Sequence, residues 1–294
     1  TVVTPLFEQV DQNTAYVQVT NSKSSYERVR SYDQVRLLYQ ADEPVGISLR
    51  LDTLYRSELL AAAPVLGVKQ WNQRVNKSIR LDILQGKFPL LYALALDGDT
   101  GVAVDNFPMR GSSALGFSSA NTTAFAKQMN ALNVKLIVLQ YGINVVPYVV
   151  SDYSYYRRSL VQEIKALQRA HPDVSILVIG PSDMSRNKGG EYQSYTNIPL
   201  VRDAMKDAAF ATGCAFWDLY EAMGGENSMN AWVENGLANK DYTHFSPQGA
   251  KYVGEMLFGA LLEQLFESEL ISSPDSDDIQ IDTLQDPFHA KTFQ

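Results

Sequence analysis

The feature of this sequence that most restricts its fold is a change in hydrophobic periodicity near residue 95. Before that point, apolar and polar residues alternate in short runs rich in β-branched and aromatic residues, such as AYVQVT, DQVRLLYQ, VGISLRLD and FPLLYALAL. Alternation with a period of two is typical of antiparallel strands with one buried face. We therefore predict a β-sandwich or jelly roll over residues 1–95, in which only LYRSELLAAAP also fits a helix.

After residue 95, apolar runs alternate with amphipathic segments, which predicts a parallel sheet with crossover helices. The predicted strands are VAVDNF, VKLIVLQYG, VSILVIG and CAFWDLY. Two predicted helices have apolar stripes, formed by Phe125, Met129 and Leu132 and by Leu160, Ile164 and Leu167. We expect a three-layer α/β domain over residues 96–270 and an extended tail over residues 271–294.

The last predicted helix of the α/β domain begins after Ser246, whose side chain suits an N-cap, with Pro247 in the first turn. We expect it to bury one apolar stripe, formed by Ala250, Val253, Leu257 and Leu261.

Charge and composition exclude several kinds of partner. A net charge of −8 and a pI of about 5.0 argue against nucleic acid, because a polyanion would be repelled. The single Cys214 excludes an internal disulfide. No apolar run reaches the roughly 18 residues of a membrane span. The three histidines, His171, His244 and His289, are far apart, so we predict no metal site and no cofactor.

The candidate chemistry lies in loops that follow predicted strands, where open α/β sheets bind ligands. These loops are PMRGSSALGF with Gly111, YGIN with Asn144, and NKDYTHFSPQGAKY with Asp241 and His244. Each has a structural alternative: a Gly-Ser turn, an Asn-closed turn, or a hydrogen bond at a helix start. Together they indicate acyl transfer, which needs a base held by a carboxylate and an oxyanion hole formed by a backbone N–H and an amide.

The stretches RGSS, YGIN and DYTH resemble the second, third and fifth sequence blocks of the SGNH (GDSL-type) hydrolases, over about residues 101–266. Those proteins are esterases and acylhydrolases with a flavodoxin-like sheet. The resemblance implies that Gly111 and Asn144 donate to the oxyanion, and that Asp241 and His244 belong to a catalytic triad. We expect the His244 ring to face the loop that contains Gly111 and Asn144.

The longer phrases TGVAVDNFPMRGSSALG and GGENSMNAW resemble the branch related to peptidoglycan O-acetylesterases. In that branch a β-sandwich carbohydrate-binding-like module lies between blocks one and two. The resemblance implies an acylated carbohydrate substrate and a periplasmic or secreted location. It also implies that residues 1–95 are this module.

The sequence departs from the family pattern at two points. Val145 follows Asn144, where the family usually has Asp, and no Gly-Asp-Ser occurs in the chain. The nearest string, Gly98-Asp99-Thr100, lies too close to Gly111 to leave room for a helix between two strands, so Thr100 is not predicted as a nucleophile. The chain also begins at Thr1 without a methionine or a signal peptide. We therefore expect a processed chain whose nucleophilic serine lies upstream of Thr1.

Two further residues are candidate substrate contacts. Ser112 is expected to line the oxyanion loop together with Ser113 rather than to attack the substrate. Trp232 could stack on a sugar ring, and its alternative role is packing.

Two hypotheses follow. In the first, the protein is a carbohydrate esterase that removes O-acetyl or similar acyl groups by a Ser-His-Asp mechanism. In the second, it is a non-enzymatic glycan-binding protein on a degenerate SGNH scaffold. The four retained groups favour the esterase.

Overall fold

The computed structural model describes residues 15–21 and 27–272. The chain divides into two compact units, which we describe separately. The first comprises Thr1–Gly180 and Pro199–Phe216, and the second comprises Pro181–Ile198 and Trp217–Gln294. The domain boundary near residue 95 stays a prediction. The extended tail also stays a prediction from residue 273 onwards, because residues 273–294, including His289, lie outside the described part.

Seven antiparallel strands form the β-rich part of the first unit. They are β1 (Ala15–Thr20), β2 (Tyr32–Ala41), β3 (Val45–Leu51), β4 (Leu54–Leu60), β5 (Ala63–Val75), β6 (Ser78–Gln85) and β7 (Leu90–Asp97). They make two sheets, with strand orders β1-β6-β3-β4 and β5-β2-β7. The strands predicted from the period of two are confirmed, and the ambiguous stretch LYRSELLAAAP forms β4 and the start of β5.

Most buried side chains of the two sheets belong to one hydrophobic cluster, as expected of strands that share an apolar face. Its most deeply buried members come from the central strands, and include Val35, Leu37, Ile47, Leu49 and Leu81. Burial of each such side chain contributes about 1.5–3 kcal/mol to stability. This cluster is therefore the main source of stability for the seven strands.

The α/β part begins with α1 (Thr122–Ala131), β8 (Leu136–Gln140), α2 (Ser154–Ala170) and β9 (Ser175–Ile179). It continues with α3 (Ile198–Ala211) and β12 (Ala215–Trp217). The strand order is β12-β9-β8, and β8 and β9 are parallel. Helix α2 buries Leu160, Ile164 and Leu167 and ends before His171, which confirms its predicted face and end.

Arg36 joins α1 to the β-rich part of the first unit. Its guanidinium forms an ion pair with the buried carboxylate of Asp97 and donates to the Ala131 carbonyl at 2.8 Å. Since Ala131 is the last residue of α1, this one side chain ties the helix to β2 and β7. Removal of one partner of such a buried pair costs about 3–5 kcal/mol.

The strand predicted for VAVDNF is wrong. Residues 98–116 contain no strand, and the side chains of Val102 and Val104 are 92% and 86% exposed. Apolar and polar residues do alternate in residues 102–107. A β-strand also needs a hydrogen-bonded neighbouring strand, however, and the described part of the chain supplies none for this segment.

The described residues of the second unit form a β-hairpin and three helices. These are β10 (Ser185–Lys188), β11 (Glu191–Ser194), α4 (Leu219–Ala222), α5 (Ser228–Glu234) and α6 (Pro247–Ser272). The hairpin was not predicted from the sequence. Its turn is Gly189-Gly190, where both φ angles are positive, and glycine adopts these angles without strain.

Helix α6 begins as predicted but differs on its buried face. The Ser246 hydroxyl accepts a hydrogen bond from the Gly249 N–H at 3.1 Å, which confirms the N-cap. Of the predicted apolar stripe, Val253 is buried and Leu257 is half-buried, whereas Ala250 and Leu261 are exposed. The helix continues to Ser272, two residues into the predicted tail. Within the described residues, no helix has the length and apolar character needed to cross a membrane.

Candidate active site

Gly111, Ser112 and Asn144 lie in the first unit, where the structure brings two of them into contact. The Asn144 side-chain amide donates to the Ser112 carbonyl at 2.9 Å. Gly111 has a φ of +74°, which an L side chain rarely adopts, and nothing lies within 4 Å of where its Cβ would be. A ligand can therefore approach the backbone at Gly111 closely.

A tight turn after β8 fixes the position of Asn144. The backbone N–H groups of Val145 and Val146 donate to the Gly142 carbonyl at 2.8 and 3.3 Å. Both valines are buried, whereas Asn144 is exposed. Val145 thus anchors the turn in the core, which accounts for an apolar residue where the family usually has Asp.

The Gly111 loop is held at its far end by Glu163 of α2. The Glu163 carboxyl accepts hydrogen bonds from the Ser118 N–H at 2.7 Å and from the Ser118 hydroxyl at 2.9 Å. Between Gly111 and Ser118, the Ala114 side chain is buried, and its backbone has a φ of +66°. The loop is thus held by two buried groups, the Ala114 side chain and the Glu163 carboxyl.

Asp241 and His244 lie in the second unit and are hydrogen-bonded to each other. The His244 Nδ1 is 2.8 Å from Asp241 Oδ2. The backbone N–H groups of Thr243 and His244 both donate to Asp241 Oδ1 at 3.0 Å. With Nδ1 donating to the carboxylate, His244 Nε2 is left with the lone pair that a general base needs.

The environment of the Asp241 carboxyl keeps it ionised. Burial acts to raise its pKa, but hydrogen bonds from the His244 backbone, the His244 ring and the Thr243 backbone outweigh burial and lower the pKa. The His244 and Asp241 side chains are 73% and 50% exposed, so the pair is accessible to a substrate.

The loop that carries this pair is closed by backbone contacts. Asn239 N–H donates to the His244 carbonyl at 2.8 Å, and Ser246 N–H donates to the Leu237 carbonyl at 2.9 Å. Gly249 lies against Leu237, since a Cβ at position 249 would be 1.8 Å from the Leu237 carbonyl oxygen. Only glycine lets the first turn of α6 approach Leu237 this closely.

Trp232 has a packing role rather than an exposed one. It is 6% exposed, and its indole N–H donates to the Met223 carbonyl at 3.1 Å. Its ring lies 5.3 Å from the Phe245 ring. A buried indole is not available to stack on a sugar, so Trp232 instead supports the residue that follows His244.

Sequence reasoning missed two sets of residues that organise the second unit. The ring of Tyr242, between Asp241 and His244, is stacked on Tyr192 of β11. The buried carboxyl of Asp183 accepts hydrogen bonds from the Ser194 hydroxyl at 2.6 Å and from the Met229 N–H at 2.9 Å. Burial raises the pKa of Asp183. Both contacts join distant segments, so no local spacing indicates them.

Asp241 and His244 have the geometry of a carboxylate-oriented imidazole, and Gly111 and Asn144 carry N–H groups of the kind that can donate to an anion. Among residues 15–21 and 27–272, no three His, Cys, Asp or Glu side chains are grouped to hold a metal ion.

Comparisons with known proteins identify related sequences and folds. The sequence model of the GDSL-like Lipase/Acylhydrolase family matches residues 85–252. A solved structure described as "Peptidoglycan O-acetylesterase in action, 5 min" is similar with a TM-score of 0.62 and 18% identity, over 90% of this chain and 82% of that chain. At this identity the similarity shows the fold alone. No curated protein matches significantly.

Weaker similarities involve other carbohydrate esterases. An acetyl xylan esterase, AlAXEase, matches with a TM-score of 0.35 and 16% identity, over 48% of this chain and 76% of that chain. A family two carbohydrate esterase from Clostridium thermocellum matches with a TM-score of 0.24 and 9% identity, over 70% of this chain and 82% of that chain. These scores are too low to support an argument.

Proposed function

Since the chain belongs to the GDSL-like lipase/acylhydrolase family, we propose that it is an ester hydrolase that removes O-acetyl or similar acyl groups from a glycan. The observation that carries this proposal is the hydrogen bond of 2.8 Å between His244 Nδ1 and Asp241 Oδ2. It prepares Nε2 to take a proton from a hydroxyl. The fold shared with a peptidoglycan O-acetylesterase supports the choice of an acylated glycan, and such a substrate supports a periplasmic or secreted location.

The proposed mechanism uses a serine, His244 and Asp241. His244 Nε2 takes the serine proton as the hydroxyl attacks the acyl carbon, and then gives it to the sugar oxygen as that bond breaks. Asp241 stabilises the imidazolium that forms between these steps. Water then attacks the acyl-serine in the same way, which releases the acid and restores the serine.

The oxyanion of each tetrahedral intermediate accepts hydrogen bonds from the Gly111 N–H and the Asn144 amide. Asn144 Nδ2 carries two hydrogens. One is directed to the Ser112 carbonyl, which orients the amide. The other is available to the oxyanion, where one such donor is worth about 10²–10³ in kcat.

The serine belongs, in this proposal, to a strand outside these 294 residues that pairs with β8. Strand β8 is the last strand in the order β12-β9-β8, and its Leu136 and Val138 side chains are 46% and 45% exposed. In a flavodoxin-like sheet the first strand lies between the second and the third. A serine strand would therefore lie between residues 102–107 and β8, and would give the apolar alternation of Val102 and Val104 a partner.

We also propose that the seven antiparallel strands are a jelly-roll, carbohydrate-binding-like module. Two sheets with one shared hydrophobic cluster support this assignment. The module would hold the glycan while its acyl group is removed.

The test compares the 294-residue chain with the chain extended by the segment encoded upstream of Thr1, which we call the extended chain. We expect the extended chain to hydrolyse an acetyl ester and an O-acetylated glycan. The 294 residues alone should reach only the roughly 10³–10⁴-fold over water that a triad enzyme retains without its serine. Hydrogen exchange of residues 102–107 and β8 should slow in the extended chain.

Other outcomes identify which part of the proposal fails. Full activity of the 294 residues alone would mean that Ser112 or Ser113 is the nucleophile. Glycan binding by the extended chain without hydrolysis would contradict the esterase assignment and support the binding protein on a degenerate scaffold.

A further inference from the structure

The rings of Tyr192 and Tyr242 form a close parallel stack. Their centroids are 3.5 Å apart, and the angle between the ring planes is 6°. Tyr192 lies in β11, opposite Asn187 in the hairpin, and Tyr242 lies three residues before Phe245 in the loop that holds the candidate base. The two tyrosines are 50 positions apart in sequence, so the stack fixes the loop against the hairpin.

The backbone of Tyr242 needs such a contact. Its φ is +55°, in the left-handed region that a residue with a Cβ adopts at a cost. Packing of the Tyr192 ring on the Tyr242 ring buries apolar surface, which offsets part of this cost. The conformation therefore depends on the contacts that hold Tyr242 in place.

Tyr242 is held by a hydrogen bond within its own loop, from its N–H to the Asn239 carbonyl at 3.0 Å, and by two contacts from the hairpin, one from each strand. The Ser185 N–H of β10 donates to the Tyr242 carbonyl at 3.0 Å, and Tyr192 of β11 contacts the ring. The Tyr242 peptide follows directly on Asp241. A change of φ at Tyr242 would thus turn Asp241 away from Thr243 and His244, whose backbone N–H groups donate hydrogen bonds to the Asp241 carboxylate.

We propose that Tyr192 is a positioning residue for the Asp241–His244 pair, acting through the ring of Tyr242. In the wild-type chain the stack keeps Tyr242 left-handed, and this holds the Asp241 carboxylate on His244 Nδ1. The role of Tyr192 in turnover rests on the proposed function, since it requires that His244 is the base. The role of Tyr192 in orienting the Asp241–His244 pair does not depend on the proposed function.

The test uses four substitutions. Tyr192→Ala and Tyr192→Leu remove the flat ring, and the leucine keeps most of the apolar volume in case alanine destabilises the hairpin. Tyr192→Phe keeps the ring and is expected to behave as wild type. Tyr155→Ala removes a tyrosine that is 47% exposed on α2, and serves as the matched control.

The first measurement is NMR of the His244 ring in the 294-residue chain, which requires no serine. In the wild type, Tyr192→Phe and Tyr155→Ala, we expect one tautomer with the proton on Nδ1. In Tyr192→Ala and Tyr192→Leu, exchange of the Nδ1 proton should be at least about tenfold faster, and the other tautomer should become visible. Unchanged His244 signals in both ring-less variants would overturn the proposal.

The second measurement is the kinetics of the extended chain. Loss of the ring should lower kcat by about tenfold or more and leave KM within about twofold, because a positioning residue acts on the base and not on substrate binding. A rise in KM with kcat unchanged would contradict a positioning role. If His244 changes as expected by NMR while no form hydrolyses esters, the proposed function fails and the positioning role stands.

Discussion

Glu163 and Ser118 are joined by two hydrogen bonds that cross from α2 to the loop after Gly111. The carboxyl accepts the Ser118 N–H at 2.7 Å and the Ser118 hydroxyl at 2.9 Å, and Glu163 is 7% exposed. A buried carboxyl is rare unless its oxygens are satisfied, and here both accept from one residue. The pair therefore fixes the end of the Gly111 loop that Asn144 does not reach.

Glu163→Ala should destabilise the first unit and loosen this loop. Hydrogen bonds to a charged group contribute about 1.5–3 kcal/mol, so we expect a loss of that size in urea unfolding. Gln162→Ala is the matched control, since Gln162 is an exposed neighbour on the same helix, and it should change stability by less than about 0.5 kcal/mol. Equal midpoints for the two variants would contradict the clamp.

The Asp241 carboxyl should titrate below the ordinary value for aspartate, which is about 3.9. Burial acts to raise its pKa, but the hydrogen bonds from His244 and Thr243 outweigh burial and lower it. A lowered folded pKa stabilises the loop at any pH above the unfolded pKa. This stability is lost as the pH falls through the folded value.

Carbon-13 NMR of the Asp241 carboxyl measures this directly. In His244→Ala the ring donor is lost but both backbone donors remain, so the midpoint should rise only part of the way. A wild-type midpoint at or above the ordinary value would show that the hydrogen bonds do not dominate.

Asn144→Ala in the extended chain should lower kcat by about 10²–10³ and change KM little, because in the proposed mechanism the amide donates to the substrate only as the oxyanion develops. The same change removes the hydrogen bond to the Ser112 carbonyl, which should cost about 1 kcal/mol of stability. A fall in kcat smaller than about threefold would exclude Asn144 as an oxyanion donor.

Gly249→Ala should be strongly destabilising, by about 1–3 kcal/mol or more, because the new methyl group would meet the Leu237 carbonyl oxygen at 1.8 Å. Gly254, one turn further along α6, has nothing within 4 Å of its Cβ position. Gly254→Ala should therefore stabilise the helix by about 0.5–1 kcal/mol. Thermal unfolding of the two variants should shift in opposite directions, and shifts in the same direction would refute the close approach.

Most of the regular structure of the first unit could be predicted because its signal is local. Most of the strands between residues 15 and 97 were indicated by a period of two, since each has one face in the shared core, whereas β4 lies in the stretch that also fitted a helix and β5 was not predicted beyond its first residues. Residues 102–107 show the same alternation without forming a strand, because pairing depends on a partner elsewhere and not on the segment itself.

The hairpin β10–β11 is the opposite case, in which strands form without an apolar pattern that predicts them. Its strands, SRNK and EYQS, are polar and short, so no apolar period indicates them. The Gly189-Gly190 pair was the available signal, since two consecutive positive φ angles favour a two-residue hairpin turn.

The candidate site also has one part that local spacing in the sequence predicts and another part that it does not. The Asp241–His244 contact spans three residues, so its spacing was visible in the sequence. The residues that support the site are distant from it in sequence. Glu163 is 45 positions from Ser118, and Tyr192 is 50 positions from Tyr242, and only the folded chain brings these residues together.

The exposed edge of β8 also determines how the 294-residue chain behaves in solution. Within the described residues β8 is the last strand of its sheet, and its Leu136 and Val138 side chains are 46% and 45% exposed, so this edge is a template for pairing with another molecule. Purified without the serine strand, the chain should self-associate reversibly through this edge as its concentration rises, and crystals of it should contain edge-to-edge dimers. The segment that supplies the nucleophile would then also be the one that keeps the protein monomeric.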